Sequence, residues 1–141
     1  MSTVFSQIID GKIPGTFVWR DEQCVAFLSI NPLAVGHTLV VPRTEVDHWI
    51  HLSRQLSVHL FDVAHVLGTA MYRTFQCERV GLIIAGYEVP HTHLHVVPTS
   101  NMSELSFANA RDSVTREELD HAAGLLRGTL QEMGEKHVAL S

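Results

Sequence analysis

The most constraining feature of the chain is an alternating run in which histidine occupies every second position. Residues 91–98 read His-Thr-His-Leu-His-Val-Val-Pro. Successive side chains of a strand point to opposite faces, so the run predicts a strand with His91, His93 and His95 along one face. Imidazole titrates near neutral pH and can act as a nucleophile, a general acid or base, or a metal ligand. The run therefore indicates a core strand that also carries a functional site.

The composition predicts one domain over residues 1–141. The chain has 141 residues, of which 45% are hydrophobic, which is enough for one well-filled core. A formal net charge of -5 and no block of Lys or Arg argue against binding to nucleic-acid polymers or to membranes. No bilayer-length apolar run and no signal-type N-terminus are present, so we expect a cytoplasmic protein. Cys24 and Cys77 form no C-x-x-C pair, and we expect reduced core residues.

Hydrophobic periodicity and turn residues predict an α+β fold. Helical spacing is found at both ends and in the middle of the chain, and β-type runs lie between these segments. About five strands with mostly short connections favour an antiparallel sheet that helices cover on one face. The predicted helices are 5–9, 53–75 and 115–133, the last with a Thr115–Glu118 capping box, and the predicted strands are 16–20, 24–29, 37–41, 80–85 and the histidine run.

The centre of the histidine run is the natural nucleophile. His93 has a histidine on each side, one able to orient it and the other able to contact a phosphoryl oxygen or protonate a leaving group. Attack by a neutral imidazole on phosphorus would give a phosphohistidine and divide one displacement into two easier ones. His37 opens the preceding strand beside a glycine and is placed to complete the same cleft. The other six histidines show no spacing, and we assign them to surface or structural positions.

A metal site is the alternative use of these histidines. Two histidines two positions apart on a strand can hold zinc, but a catalytic zinc needs three converging protein ligands and an open position. Imidazoles on one flat strand spread apart unless a ligand comes from another element. We therefore predict no metal at the site, and a metal-dependent hydrolase remains the less favoured reading.

The same residues resemble the signature of the histidine triad (HIT) family, H-x-H-x-H followed by two apolar residues. The match includes His91, His93 and His95, then Val96 and Val97. Residues 26–42 resemble the family segment A-F-x-D-I-x-P-x-x-x-G-H-x-L-V-x-P, and residues 5–14 resemble its opening helix and turn. The resemblance covers most of the first hundred residues at the family's order and spacing, which is more specific than the triad alone.

The resemblance implies a five-stranded antiparallel sheet with two main helices, usually paired in a homodimer with one continuous sheet. It implies a nucleotide substrate bound by its α-phosphate, a nucleotidyl-histidine intermediate, release of a nucleoside monophosphate from a phosphoramidate or dinucleoside polyphosphate, and no cofactor. His93 would be the nucleophile, His95 and His37 would contact the phosphate or leaving group, and His91 would hold the network in its tautomer. Positions matching the base and ribose pocket are Phe5, Ile8, Phe27, Leu28 and Ile30.

Three positions depart from the family pattern. Ser29 stands where an aspartate usually grips the ribose hydroxyls, and it can make one hydrogen bond but no charged clamp. Where the family often has G-Q-x-V before the triad, residues 86–89 read Gly-Tyr-Glu-Val, so Tyr87 replaces the glutamine. Glu88 stands where a small hydroxyl residue often donates to the leaving group. The cysteines that bind zinc in some members are absent near Val4 and Gln7, so we expect no structural zinc. The altered positions keep a second reading open, a non-catalytic nucleotide-binding module.

Overall fold

A computed structural model describes residues 2–141. Its five strands form one antiparallel sheet in the order β1-β2-β3-β5-β4, which confirms the predicted fold class. Three short 3-10 helices lie outside these elements. The helices are α1 (Val4–Ile9), α2 (Arg54–Thr74) and α3 (Arg116–Glu132), and the strands are β1 (Phe17–Arg20), β2 (Cys24–Leu28), β3 (Thr38–Pro42), β4 (Arg79–Ile83) and β5 (Leu94–Thr99).

The alternation of side chains divides the sheet into two faces with different partners. In β2, Cys24, Ala26 and Leu28 pack with α2 and α3, whereas Val25 and Phe27 pack on the opposite face with α1. We call these the helix face and the cavity face. Both are covered, so every residue of β2, β3 and β5 is buried.

The two long helices begin and end where the sequence predicts, to within one residue. Ser53 caps α2 by accepting a hydrogen bond from the backbone N–H of Leu56. Thr115 and Glu118 form the capping box of α3, and Gly134 follows its end with φ of 81°. Their apolar stripes supply most of the helix-face core: Leu60, Val63, Leu67 and Met71 from α2, and Leu119, Ala122, Leu126 and Leu130 from α3.

The two edge strands of the sheet, β1 and β4, have different neighbours. The C-terminal residues run along β1, where the backbone N–H of Ala139 donates to the carbonyl of Val18 and that of Arg20 donates to His137. Arg127 of α3 also donates to the carbonyl of Phe17. On the opposite edge, β4 pairs only with β5 among the strands of residues 2–141. One edge is therefore covered and the other leaves its backbone groups available.

No helix among the described residues is both long enough and apolar enough to cross a bilayer.

The predicted strand through all three histidines is wrong at its start. β5 begins at Leu94, and its register with β4 ends where Ile83 faces His95. Before that point the backbone makes other hydrogen bonds: the N–H of His91 donates to Val89, and that of Thr92 donates to Val46. One local and one tertiary bond thus divert the chain from the sheet, so His91 and His93 lie in the segment entering β5.

Candidate functional site

A cavity of about 510 Å³ opens on the cavity face between α1, the end of β2 and the segment before α3. Three of the four candidate catalytic histidines line it, and His91 lies behind them with no exposed surface. The candidate nucleotide-binding residues that line it are Phe5, Ile8, Phe27, Leu28, Ser29, Ile30 and Glu88.

His93 has one free ring nitrogen. Its Nδ1 lies 2.7 Å from the carbonyl oxygen of His91, and because a carbonyl can only accept, Nδ1 carries the proton. Nε2 of the neutral ring then holds a lone pair. The ring packs edge-on against Phe5, with centroids 4.9 Å apart, and against His95 at 4.8 Å. The backbone and these rings together fix the orientation of the candidate nucleophile.

His91 is held at both ring nitrogens. Its Nε2 donates to the carbonyl of Pro42 over 2.8 Å, so its Nδ1 is the acceptor for the hydroxyl of Thr3 at 2.7 Å. Thr3 is the N-cap of α1, and its backbone N–H in turn donates to Glu45. His91 therefore joins the start of α1 to the end of β3 and presents its own carbonyl to His93.

His37 and His95 form a directed pair. The backbone N–H of Leu33 donates to Nδ1 of His37 over 3.0 Å, so the proton of neutral His37 is on Nε2. That nitrogen lies 3.0 Å from Nδ1 of His95 and donates to it, which leaves the proton of His95 on its own Nε2. Gly36 permits the turn before His37 with φ of 94°, and a Cβ there would overlap the ring of Phe75. His95 thus carries an N–H donor at the cavity.

Burial keeps these rings uncharged. It lowers the pKa of His37 to about 4 and that of His95 to about 3, and repulsion from neighbouring imidazolium charge, chiefly at His93, adds to both shifts. Burial also lowers the pKa of His93, although the hydrogen bond to His91 and the charge of Glu88 oppose the change. The site therefore holds, at pH 7, an unprotonated Nε2 on His93 beside the N–H donor of neutral His95.

Leu28 and Ile30, two of the predicted pocket residues, differ in how their side chains lie relative to the cavity. Leu28 borders the cavity, but its side chain belongs to the helix-face core, since it alternates with Phe27 along β2. Leu28 therefore borders the cavity from the core side, and its place in the base and ribose pocket remains a prediction. Ile30 lies at the rim and is 68% exposed, so a ligand could cover it.

Tyr87 and Glu88, which depart from the family pattern before the triad, lie in different surroundings. Tyr87 is 97% exposed, whereas Glu88 lines the cavity with His93. A carboxylate therefore stands at the end of the cavity where His93 lies.

Sequence reasoning missed the wall of the cavity that follows β5. Phe107 packs edge-on against His95 with ring centroids 4.9 Å apart. Thr3 was missed as well, since nothing in its local pattern links it to a histidine 88 positions away. Further lining residues from this wall are Ala108, Ala110, Arg111, Asp112, Arg116 and Leu119.

His59 lies in a separate polar cluster beneath the β1–β2 turn. Its Nε2 is 2.7 Å from Oδ2 of Asp21, which also accepts from the indole N–H of Trp19. Burial raises the pKa of Asp21, but hydrogen bonds from Trp19, Cys24, Gln23 and His59 outweigh it and lower the pKa to about 2. These are hydrogen bonds that tie β1, β2 and α2 together.

The chain shares its sequence pattern with a known family. Residues 10–102 match the family model described as the HIT domain, so the chain belongs to the histidine triad (HIT) family. HIT proteins are nucleotide-binding proteins.

Individual relatives show how far the similarity extends. An uncharacterized HIT-like protein of Borreliella burgdorferi is 34% identical over 102 residues, covering 67% of this chain and 73% of that protein. The adenylylsulfatase HINT3 of Arabidopsis thaliana is 25% identical over 100 residues, covering 67% of this chain and 51% of that protein. A zinc-bound histidine triad family protein from Mycobacterium smegmatis superposes with a TM-score of 0.82 at 28% identity, covering 95% and 96% of the two chains.

Proposed function

We propose that the protein hydrolyses a nucleoside phosphoramidate or dinucleoside polyphosphate at the α-phosphate and releases a nucleoside monophosphate. The observation that carries this proposal is the tautomer of His93. Its Nδ1–H is bound to the His91 carbonyl at 2.7 Å, and its unprotonated Nε2 is left for attack. Membership of a family that includes an adenylylsulfatase supports an enzymatic function.

The proposed reaction has two displacements. The Nε2 of His93 attacks phosphorus, the bond to the leaving group breaks, and the leaving group departs with that electron pair and takes a proton from the medium. The Nε2–H of His95 donates a hydrogen bond to a phosphoryl oxygen, and His37 holds His95 in the required tautomer. Water then attacks the phosphohistidine, the P–N bond breaks, one proton returns to the medium, and the monophosphate leaves.

The apolar part of the cavity would hold the base. Phe5, Ile8 and Phe27 offer ring and aliphatic surface, and Ile30 lies at the rim. A slot of this kind stacks on any purine, since every base has an apolar face. We therefore assign recognition of a purine nucleotide to these residues, without distinguishing adenine from guanine.

The first test is release of AMP from an adenosine phosphoramidate by the wild type and by His93→Ala. Loss of the nucleophile should reduce kcat by at least about a thousandfold, as expected when covalent catalysis is removed. His59→Ala is the matched control, because it deletes an imidazole outside the cavity and should leave kcat near the wild-type value. Turnover that survives in His93→Ala would contradict the proposal.

The altered positions favour one competing function, a nucleotide-binding module without turnover. Ser29 and Glu88 both line the cavity, and neither is the residue the family usually has there. In that case the wild type would bind AMP but release none from the phosphoramidate, and His93→Ala would bind equally well. The same two proteins therefore separate the two functions.

The hydrogen bonds of the triad disfavour a metal-dependent hydrolase. Both ring nitrogens of His91 and of His37 are already engaged. Only Nε2 of His93 then offers a lone pair, since Nε2 of His95 carries a proton, whereas a catalytic zinc requires three protein ligand atoms. Asp21, Cys24 and His59 lie close enough together to hold an ion, but burial raises the pKa of the Cys24 thiol and disfavours the thiolate ligand. We therefore propose catalysis without a metal.

We also propose that the protein forms a homodimer through β4 and α2. β4 is an edge strand, and pairing it with a second copy would join two sheets into one continuous sheet. Beside it lies an apolar groove between α2 and β4, and large side chains around it are exposed. A second copy of this chain would cover both at once. The exposed residues are Val58, Phe61, Tyr72, Leu82 and Ile84.

Size-exclusion chromatography with light scattering checks this assembly. The wild type should elute at twice the mass of one chain, and Phe61→Glu should dissociate it, because the carboxylate would be buried without a partner. Leu125→Glu, at another exposed apolar position, on α3, is the control and should stay dimeric. A monomeric wild type at tens of micromolar would exclude this interface.

A further inference from the structure

The wall of the cavity that lies beyond the HIT domain match carries an unassigned acidic residue. The family model ends at residue 102, yet the cavity lining continues to Leu119. This continuity supports the prediction that residues 1–141 form one domain. It also means that the family pattern does not describe all the groups that face a ligand.

This wall is fixed to the turn after β2 by an amide clamp. The side-chain Nδ2 of Asn31 donates to the carbonyl of Arg111 over 3.1 Å and to that of Asp112 over 3.0 Å. The backbone N–H of Arg111 donates to the carbonyl of Pro32 over 3.1 Å. Three hydrogen bonds thus hold the backbone at residues 111 and 112 against the rim of the cavity.

A short chain of hydrogen bonds connects this clamp to the catalytic histidines. The backbone N–H of Ser29 donates to the carbonyl of His37 over 2.9 Å, and the hydroxyl of Ser29 accepts from the backbone N–H of Asn31 over 3.2 Å. Asn31 then holds Asp112. This chain links the histidines to three polar residues of the cavity, Ser29, Asn31 and Asp112. A nucleotide with its phosphate at His93 would place its sugar beside them.

The charged residues of the cavity have different partners. Arg111 pairs with Glu118 at 2.6 Å. Arg116 donates to Thr16 and pairs with Asp120. Glu88 lies at the His93 end. The Asp112 carboxylate makes no side-chain hydrogen bond or ion pair within residues 2–141 and is available to a ligand.

We propose, on the basis of the function proposed above, that Asp112 recognises the ribose diol of the bound nucleotide. A carboxylate accepts hydrogen bonds from vicinal sugar hydroxyls, as in dinucleotide-binding folds. Ser29 offers one hydroxyl, and Asp112 adds the charged acceptor that a serine lacks. The site would then prefer ribonucleotides to 2′-deoxyribonucleotides, and Asn31 would act as a positioning residue through the Asp112 backbone.

Calorimetric titration with AMP, GMP and their 2′-deoxy forms tests this assignment without requiring turnover. The wild type should bind the ribonucleotide about tenfold more tightly, since the 2′-hydroxyl adds a hydrogen bond to a charged acceptor. In Asp112→Asn the ribose preference should fall below about threefold. The ratio of the two dissociation constants is the readout, because loss of a negative charge near the phosphate changes both affinities together.

Glu132→Gln is the matched control, since it removes one negative charge from α3 at an exposed position outside the cavity lining. It should keep the wild-type ratio. A ratio in Asp112→Asn equal to that of the wild type would overturn the assignment while leaving the proposed reaction intact. Failure of every nucleotide to bind the wild type would overturn both.

Discussion

The four histidines at the cavity and the single histidine beneath the β1–β2 turn differ in what faces the ring. His37, His91, His93 and His95 contact backbone groups, a hydroxyl and one another, and none of them is paired with a carboxylate in the described chain. His59 lies 2.7 Å from a carboxylate oxygen of Asp21. The first arrangement leaves the rings without a counter-charge, and the second ties His59 of α2 to Asp21 of the β1–β2 turn, which stabilises the fold.

Burial alone does not assign a histidine to catalysis. A buried imidazole without a counter-ion loses the hydration of its charged form, so its pKa falls. Beside a carboxylate the same ring gains a charge-assisted hydrogen bond. The partner of the ring therefore separates the histidines that we propose to be reactive from the structural ones, even where ten histidines occur in one chain.

The pH dependence of stability should show the clearest contrast between the histidines at the cavity and the Asp21–His59 pair. Between pH 6.5 and about 4, the unfolded chain binds a proton at His37 that the folded chain does not. The free energy of unfolding should therefore decrease as pH falls through this window, by about 3 kcal/mol from His37 alone. Urea denaturation at half-unit pH steps measures it, and His37→Asn should make the slope in this window shallower.

Asp21 should titrate in a lower window. Its pKa is lowered from 3.8 to about 2, so the stability it contributes is present above pH 4 and is lost as pH falls toward 2. In Asp21→Asn this lower loss should disappear while the slope above pH 4 is retained. If Asp21→Asn instead flattened the slope between pH 6.5 and 4, the histidines at the cavity and the Asp21–His59 pair would not be independent.

Glu88, the acidic residue at the His93 end of the cavity, should change affinity by only a few fold. Glu88→Gln removes a negative charge near the bound phosphate, so AMP should bind a few times more tightly at low salt. Because the charge of Glu88 raises the pKa of His93, the acidic limb of the kcat profile should also move to lower pH. Unchanged affinity and an unchanged limb would place the Glu88 carboxylate in solvent, away from the nucleophile.

Most of the fold follows from local signals that agree with one another. The capping box at Thr115 and the long apolar stripe after Ser53 predict the helices to within one residue. The start of β5 could not be predicted in this way, since the alternation of histidines continues upstream of the ladder. Only the tertiary bond from Thr92 to Val46 shows that the chain leaves the sheet there.

The candidate site was predictable where its chemistry lies in one short run and not where it depends on distant segments. His93 and His95 come from a motif, and His37 from its place beside Gly36. Thr3 and Asp112 come from opposite ends of the chain and have no pattern of their own. Their positions result from the N-cap of α1 and from the Asn31 clamp, which exist only after the sheet has formed.

The backbone hydrogen bonds to His37, His91 and His93 have a consequence for how this protein can diversify. One main-chain N–H and two main-chain carbonyls dictate on which nitrogen each ring carries its proton. Main-chain groups are the same whatever side chain they bear, so substitutions around the rim leave the direction of proton donation unaltered. Substrate choice can then change by point mutation while the reactive centre stays the same.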